Sequence, residues 1–149
     1  MSKTPLSQFN DTVRLFIGDL KNIFGENDRD IMRIEILLDM MKLNARLVIV
    51  PFQKSICQNA EFVRRIMRED REYFVQYPFE DICAVNTNEF YMKLVHKFRE
   101  AIIMQGTNKT TLTAVFNWFK ILIFHAYADT GIDANRRMRE IAEAEMAMT

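Results

Sequence analysis

Chemistry in this chain would have to come from few side chains: His96, His125, Cys57, Cys83, the arginines of "RRIMREDR", and carboxylates spread along the chain. An imidazole can serve as a general base or a metal ligand. A zinc site, however, needs further His or Cys ligands at workable spacing, and neither histidine has one three or four residues away. The cysteines have 25 residues between them and form no C-x-x-C pair. They read as small buried or half-buried thiols, with a disulfide as the alternative. The phosphate-binding motifs G-x-x-x-x-G-K-[ST] and G-x-G-x-x-G, the nucleophile elbow G-x-S-x-G and the metalloprotease H-E-x-x-H are all missing. With four glycines in 149 residues there is little material for a backbone anion cradle. The expectation is therefore no catalytic residue, no metal and no cofactor. Asp and Glu converging from distant positions are the exception that residue spacing leaves open.

Three clusters suggest contact with a partner instead. Arg64, Arg65 and Arg68 lie in "RRIMREDR", and Arg64, Arg68 and Arg71 share one helical face. Glu61, Glu69, Asp70 and Glu72 are interspersed, so the segment reads either as a salt-laced solvated face or as a contact for phosphate or an acidic partner. "REYFVQYPF" places Tyr73, Phe74, Tyr77 and Phe79 around a proline, as interface anchors or as a plug for one end of a bundle. Met146 and Met148 close the chain with adaptable apolar side chains. Twenty basic and twenty acidic residues give a formal charge of zero. That argues against a dedicated nucleic-acid binder, which needs a basic surplus for phosphate contacts.

The elements that must position these residues are helices. Apolar residues make up 49% of the chain and charged residues 27%, a globular balance with few glycines and prolines to interrupt long helices. Thr4 and Pro5 read as N-cap and first helical residue, followed by Leu6, Phe9, Val13, Phe16, Ile17, Leu20 and Phe24 at helical spacing, with Gly25 as the stop. Asn27 or Asp28 caps a second helix whose inner face is Ile31, Ile34, Leu37, Leu38 and Met41. Val48, Ile49 and Val50 suit a strand, but nothing nearby pairs with them, and the segment reads as a kinked helix or two short ones meeting at Pro51. Asn59 caps "AEFVRRIM" and Asp70 caps "REYFVQY". A loop is expected near residues 78–87. Thr87 or Asn88 then starts a long helix with Phe90, Tyr91, Leu94, Val95, Phe98, Ala101 and Ile102 inside. Asp133 caps a last helix with Met138, Ile141, Ala142 and Met146 on one side. The expected fold class is all-α: a single-domain bundle of about six to eight helices over residues 1–149, around a central apolar helix at about 109–129.

That central helix contains "AVFNWFKILIFHAYA", twelve apolar residues in fifteen. A span needs about 20 apolar residues to cross roughly 30 Å of hydrocarbon, and fifteen residues of helix reach only about 22 Å. Asn117, Lys120 and His125 would each be costly in lipid. No membrane span is expected, and a helix packed on nearly all sides explains the run. Asn117 and Lys120 mark its solvent strip, while His125 lies away from it as a structural histidine. The N-terminus has no apolar signal region, so no secretory leader is expected.

Three stretches carry a resemblance: "FNDTVRLFIGDLKNIFG" (9–25), "VPFQKSICQNAEFV" (50–63) and "LTAVFNWFKILIFHAYA" (112–128), with Trp118, Phe119 and Tyr127 as an aromatic signature of the last. Together the chain resembles a family of short helical proteins encoded by large nucleocytoplasmic DNA viruses, notably those of algae and protists. The resemblance is a pattern of helix lengths and apolar positions over roughly two thirds of the chain, and it assigns no catalytic residue. The chain departs from the pattern at "IFGEND", where relatives tend to carry a proline after the Phe. The resemblance implies a virus-encoded protein carried in the particle. The leading expectation is a non-enzymatic interaction module, a small virion component such as a minor capsid or capsid-associated protein. It would contact other virion proteins, and lie in the virion and in the host cytoplasm during assembly. The alternatives are a host-directed helical regulator binding a cellular partner, and a nucleic-acid accessory factor acting through the arginines.

Overall fold

Short polar side chains start most of the helices, because the first N–H groups of a helix have no acceptor of their own. Thr4 accepts from the Ser7 N–H at 3.1 Å and opens α1 (Pro5–Phe24). Asp28, rather than Asn27, accepts from Ile31 at 3.0 Å and opens α2 (Arg29–Leu38). Asp39 keeps right-handed helical dihedrals and leads directly into α3 (Met40–Leu43). After α4 (Ile49–Ser55), Asn59 caps α5 (Ala60–Met67) and Asp70 caps α6 (Arg71–Gln76). Asn88 accepts from Tyr91 and opens α7 (Glu89–Met104), and Asn108 accepts from Thr111 and opens α8 (Lys109–Asp129). Asp133 accepts from Arg136 at the start of α9 (Ala134–Met148). This computed structural model describes residues 3–76, 88–104 and 108–148, the last four by their backbone. The expected loop at 78–87 lies outside the described residues.

The described chain is an all-helical bundle, as its periodicity predicts, and it contains no strand. Gly25 and Gly131 end α1 and α8 at φ 92° and 81°, a left-handed conformation that glycine adopts without steric cost. Val48–Val50 differs from expectation. Pro51 is not the point where two helices meet. It turns through residues 45–48 and starts α4 at Ile49, so that Pro51 occupies the first turn. A proline there loses no hydrogen bond, because first-turn N–H groups lack an intrahelical acceptor.

The central helix is α8. It packs against α1, α4, α5, α7 and α9, its longest contact being with α1. Val115, Phe116, Phe119, Leu122, Ile123, Ala126 and Tyr127 are buried on it. Phe119 is the meeting point of the core. Its ring stacks on Phe98 of α7 with centroids 3.6 Å apart. It also meets Phe16 of α1 and Phe52 of α4 at 5.7 Å, and Phe62 of α5 at 6.4 Å. Trp118, beside it, donates its indole N–H to Asp19 of α1 at 2.8 Å, which fixes the register of α1 on α8. Asp129 at the end of α8 opposes the helix dipole. Arg46 offsets this with bonds of 2.9 and 3.3 Å to both carboxylate oxygens, and Gln53 adds a third at 2.9 Å.

Candidate partner-binding surface

The arginine run does not form one face. Helix α5 ends at Met67, and Glu69 then turns the chain at φ 53° before α6 begins, so Arg64 and Arg71 belong to different helices. The expectation of a shared helical face is thereby corrected. Helical spacing applied across 64–71 overlooks the break that the Asp70 cap itself signals and that the left-handed turn at Glu69 makes. Arg64 donates to the Ile141 carbonyl of α9 at 3.1 Å and to Glu61. Arg65 donates to Glu61 at 2.7 Å and Asp70 at 2.8 Å, and its guanidinium lies 5.4 Å from the centre of the Tyr73 ring. Glu61 sits partly out of water, which raises a carboxyl pKa, but the bonds from Arg65 and Arg64 outweigh burial and hold it below the usual range. Arg68 is exposed at the end of α5. Arg71 caps α7, donating to the carbonyls of Ile102 and Ile103 at 3.2 and 2.9 Å. Arg99 of α7 returns the contact to Phe74 and Val75 at 3.0 and 2.9 Å. Each guanidinium thus satisfies the end of the other's helix.

Phe74 is a core residue, not a surface anchor. It is fully buried against Phe62 at 5.1 Å and against Phe98 and Phe116 at 5.8 Å each. Tyr73 is half-buried beside it, under Arg65. Of the two readings weighed for these aromatics, packing within the bundle is the one the structure has for Phe74. Tyr77 and Phe79 lie outside the described residues, as do the side chains of Met146 and Met148.

Lys97 is a site that sequence inspection missed. It is 2% exposed, yet its ammonium stands 3.0 Å from Asp28, 3.2 Å from Glu100 and 3.7 Å from Asp30, and 3.9 Å from the centre of the Phe24 ring. Burial works against its charge, but the hydrogen bonds it donates to Asp28 and Glu100 prevail and raise its pKa. The signal was present: position 97 falls among the inward positions 94, 98 and 101, and an inward lysine demands carboxylate partners. Beside it, Asp30, Glu89, Met92, Lys93, His96 and Glu100 line a surface cleft of about 490 Å³. Cys57, half-buried, is a free thiol whose pKa burial pushes up to about 12, so it is a poor nucleophile near neutral pH. Cys83 lies outside the described residues. Among the described residues no group of three His, Cys, Asp or Glu could hold a metal ion, and no helix is long and apolar enough to cross a membrane.

His125 is half-buried on α8, and its Nδ1 has no hydrogen-bond partner among the described residues. Burial holds its pKa below the ordinary 6.5. The unfolded chain therefore takes up the proton first. The stability this provides is complete above 6.5 and falls as pH drops below it. His125→Gln is expected to lessen the loss of stability between about pH 7 and pH 5, read from urea unfolding curves. An unchanged slope would show that the imidazole is solvated.

Opposite the buried face of α2 and α3, four large apolar side chains stand in water. Met32 is 51% exposed, Ile36 64%, Met40 46% and Leu43 92%. Their spacing of four, four and three residues aligns them on one side of the 29–43 rod. Ile31, Ile34, Leu37 and Met41 take the other side into the core. The sequence held a sign of this, since α2 is apolar on two faces and only one can be inside. No family model, curated protein or solved structure matches the chain.

Proposed function

We propose that this chain is a non-enzymatic protein–protein interaction module that serves as a small virion component, a minor capsid or capsid-associated protein, and docks through the α2–α3 stripe. The row of exposed apolar side chains from Met32 to Leu43 carries the reading. An apolar surface of this kind, left in water opposite a well-filled core, is the ordinary mark of a contact site. Charged residues flank it and would set register against a partner. The viral assignment rests on the resemblance of residues 9–25, 50–63 and 112–128. Virion or capsid proteins, further copies of this chain among them, are then its partners, in the particle and in the host cytoplasm during assembly. A host-directed regulator would use the same stripe against a cellular protein. The nucleic-acid reading loses support, because Arg64 and Arg65 are engaged with Glu61, Asp70 and the Ile141 carbonyl.

Quantitative mass spectrometry of purified particles tests the proposal. The expected result is a copy number comparable to that of structural proteins, and incorporation reduced at least ~10-fold by Ile36→Glu, the loss of a central anchor of about 1.4 kcal/mol. Absence from particles sinks the virion assignment. Full incorporation of the Ile36→Glu variant sinks the stripe.

A further inference from the structure

The flanks of the stripe differ in sign, and this bears on what covers it. On a helix of 3.6 residues per turn, Arg29 and Arg33 project to one side of the line through Met32, Ile36 and Leu43, and Glu35 and Asp39 to the other. The neighbouring helices agree with this assignment. Arg33 reaches Glu89 of α7 at 2.9 and 3.0 Å, whereas Glu35 reaches Lys21 of α1 at 3.3 Å. Asp39 stands 3.5 Å from Lys42. These bonds leave the side chains of Arg33 47%, Glu35 39% and Asp39 79% exposed. A guanidinium has five donors and a carboxylate about four lone-pair sites, so each retains capacity for a second contact.

We infer that the occupant of the stripe is a second copy of this chain, with the two 29–43 rods face to face and parallel about a twofold axis running along them. The inference rests on the docking role proposed for the stripe and names the partner. A parallel twofold brings the basic flank of one copy over the acidic flank of the other, and does so twice. An antiparallel pairing centred on the stripe puts both basic flanks on one side and sets Glu35 level with Asp39 of the other copy on the other side, so the charge pattern selects the parallel form. The zero net charge of the chain removes long-range repulsion between copies. The four apolar side chains and their flanks, counted from both copies, cover on the order of 1,000 Å², the lower end for a specific interface. The pair is therefore reversible, forming as concentration rises.

Sedimentation equilibrium of the purified protein, from about 1 µM to 1 mM, together with oxidative crosslinking tests this. Single cysteines are placed as Met32→Cys and as Leu43→Cys, and disulfides are located by peptide mass spectrometry, which separates them from Cys57 and Cys83. The expected result is a concentration-dependent dimer, weakened at least ~10-fold by Ile36→Glu and by the milder Ile36→Ser, with helical content unchanged. Residue 32 crosslinks to its own copy and so does residue 43, since every stripe position meets itself in a parallel pair. A monomer at every concentration overturns the inference. So does a dimer indifferent to both Ile36 substitutions, or a dimer in which neither cysteine finds its counterpart. A monomeric protein that enters particles only with Ile36 intact removes self-association and leaves the docking role standing.

Discussion

Phe119→Ala is expected to remove ~3–5 kcal/mol of folding stability. Phe119 is 1% exposed, and rings from four other helices close on it: Phe16, Phe52, Phe62 and Phe98. Truncation loses the transfer free energy of a buried ring and opens a cavity that these helices cannot all close at once. They are pinned elsewhere, α1 by the Trp118–Asp19 bond and α7 by its arginine exchange with α6. Guanidinium unfolding monitored by helical circular dichroism reads the loss. Domains of this kind hold only about 5–15 kcal/mol in total, so Phe119→Leu, expected to lose less, provides a second reading if the alanine variant is scarcely folded. Ile121→Ala, two residues away and 40% exposed, is expected to change stability by under ~1 kcal/mol. Equal losses at 119 and 121 would mean that α8 is not the centre of the bundle.

Lys97→Ala is the second large effect, at about 2–3 kcal/mol. Removing one member of a buried charged group leaves the others without compensation. Here the remaining carboxylates are partly in water, with side chains 23% exposed at Asp28, 50% at Asp30 and 51% at Glu100, which holds the loss below that of a fully interior pair. Lys97→Met keeps the buried stem and is expected to lose roughly half as much. The pH dependence separates charge from packing. Burial raises the Asp28 carboxyl pKa, but bonds from the Ile31 N–H and from Lys97 outweigh it and hold the pKa below 3.8. A depressed carboxyl contributes stability that is fully present above its unfolded value, and that stability is lost as pH falls through the folded one. Lys97→Met is therefore expected to soften the acid loss below about pH 4. If both variants matched the parent in stability and acid response, the ammonium would not be engaged with Asp28.

Much of the fold was legible because its signals are local. Thr4, Asn59, Asp70 and Asp133 each cap the helix that sequence inspection assigned to them, since a cap is settled within three residues. The apolar face of α7 was predicted residue for residue, because a 3.6-residue period needs no knowledge of the neighbours. The candidate contact residues fared differently. Phe74 is buried in the core, and Arg64 and Arg65 are tied to Glu61. Aromatic and arginine content marks a segment as capable of contact, but not whether its own chain makes that contact first.

By itself the sequence determined that the chain is helical, where most helices begin, and that "AVFNWFKILIFHAYA" is the axis of a core. Propensity, caps and periodicity act over three or four residues and leave little freedom. The inner face of α2 was legible too, but only the tertiary structure decided that Met32, Ile36, Met40 and Leu43 stay uncovered, that Lys97 meets Asp28 across 69 positions of chain, and that Arg71 and Arg99 cap each other's helices. Those outcomes depend on which helices lie side by side. That follows from filling one shared interior at close-packed density, a constraint on all the side chains at once rather than on any one segment.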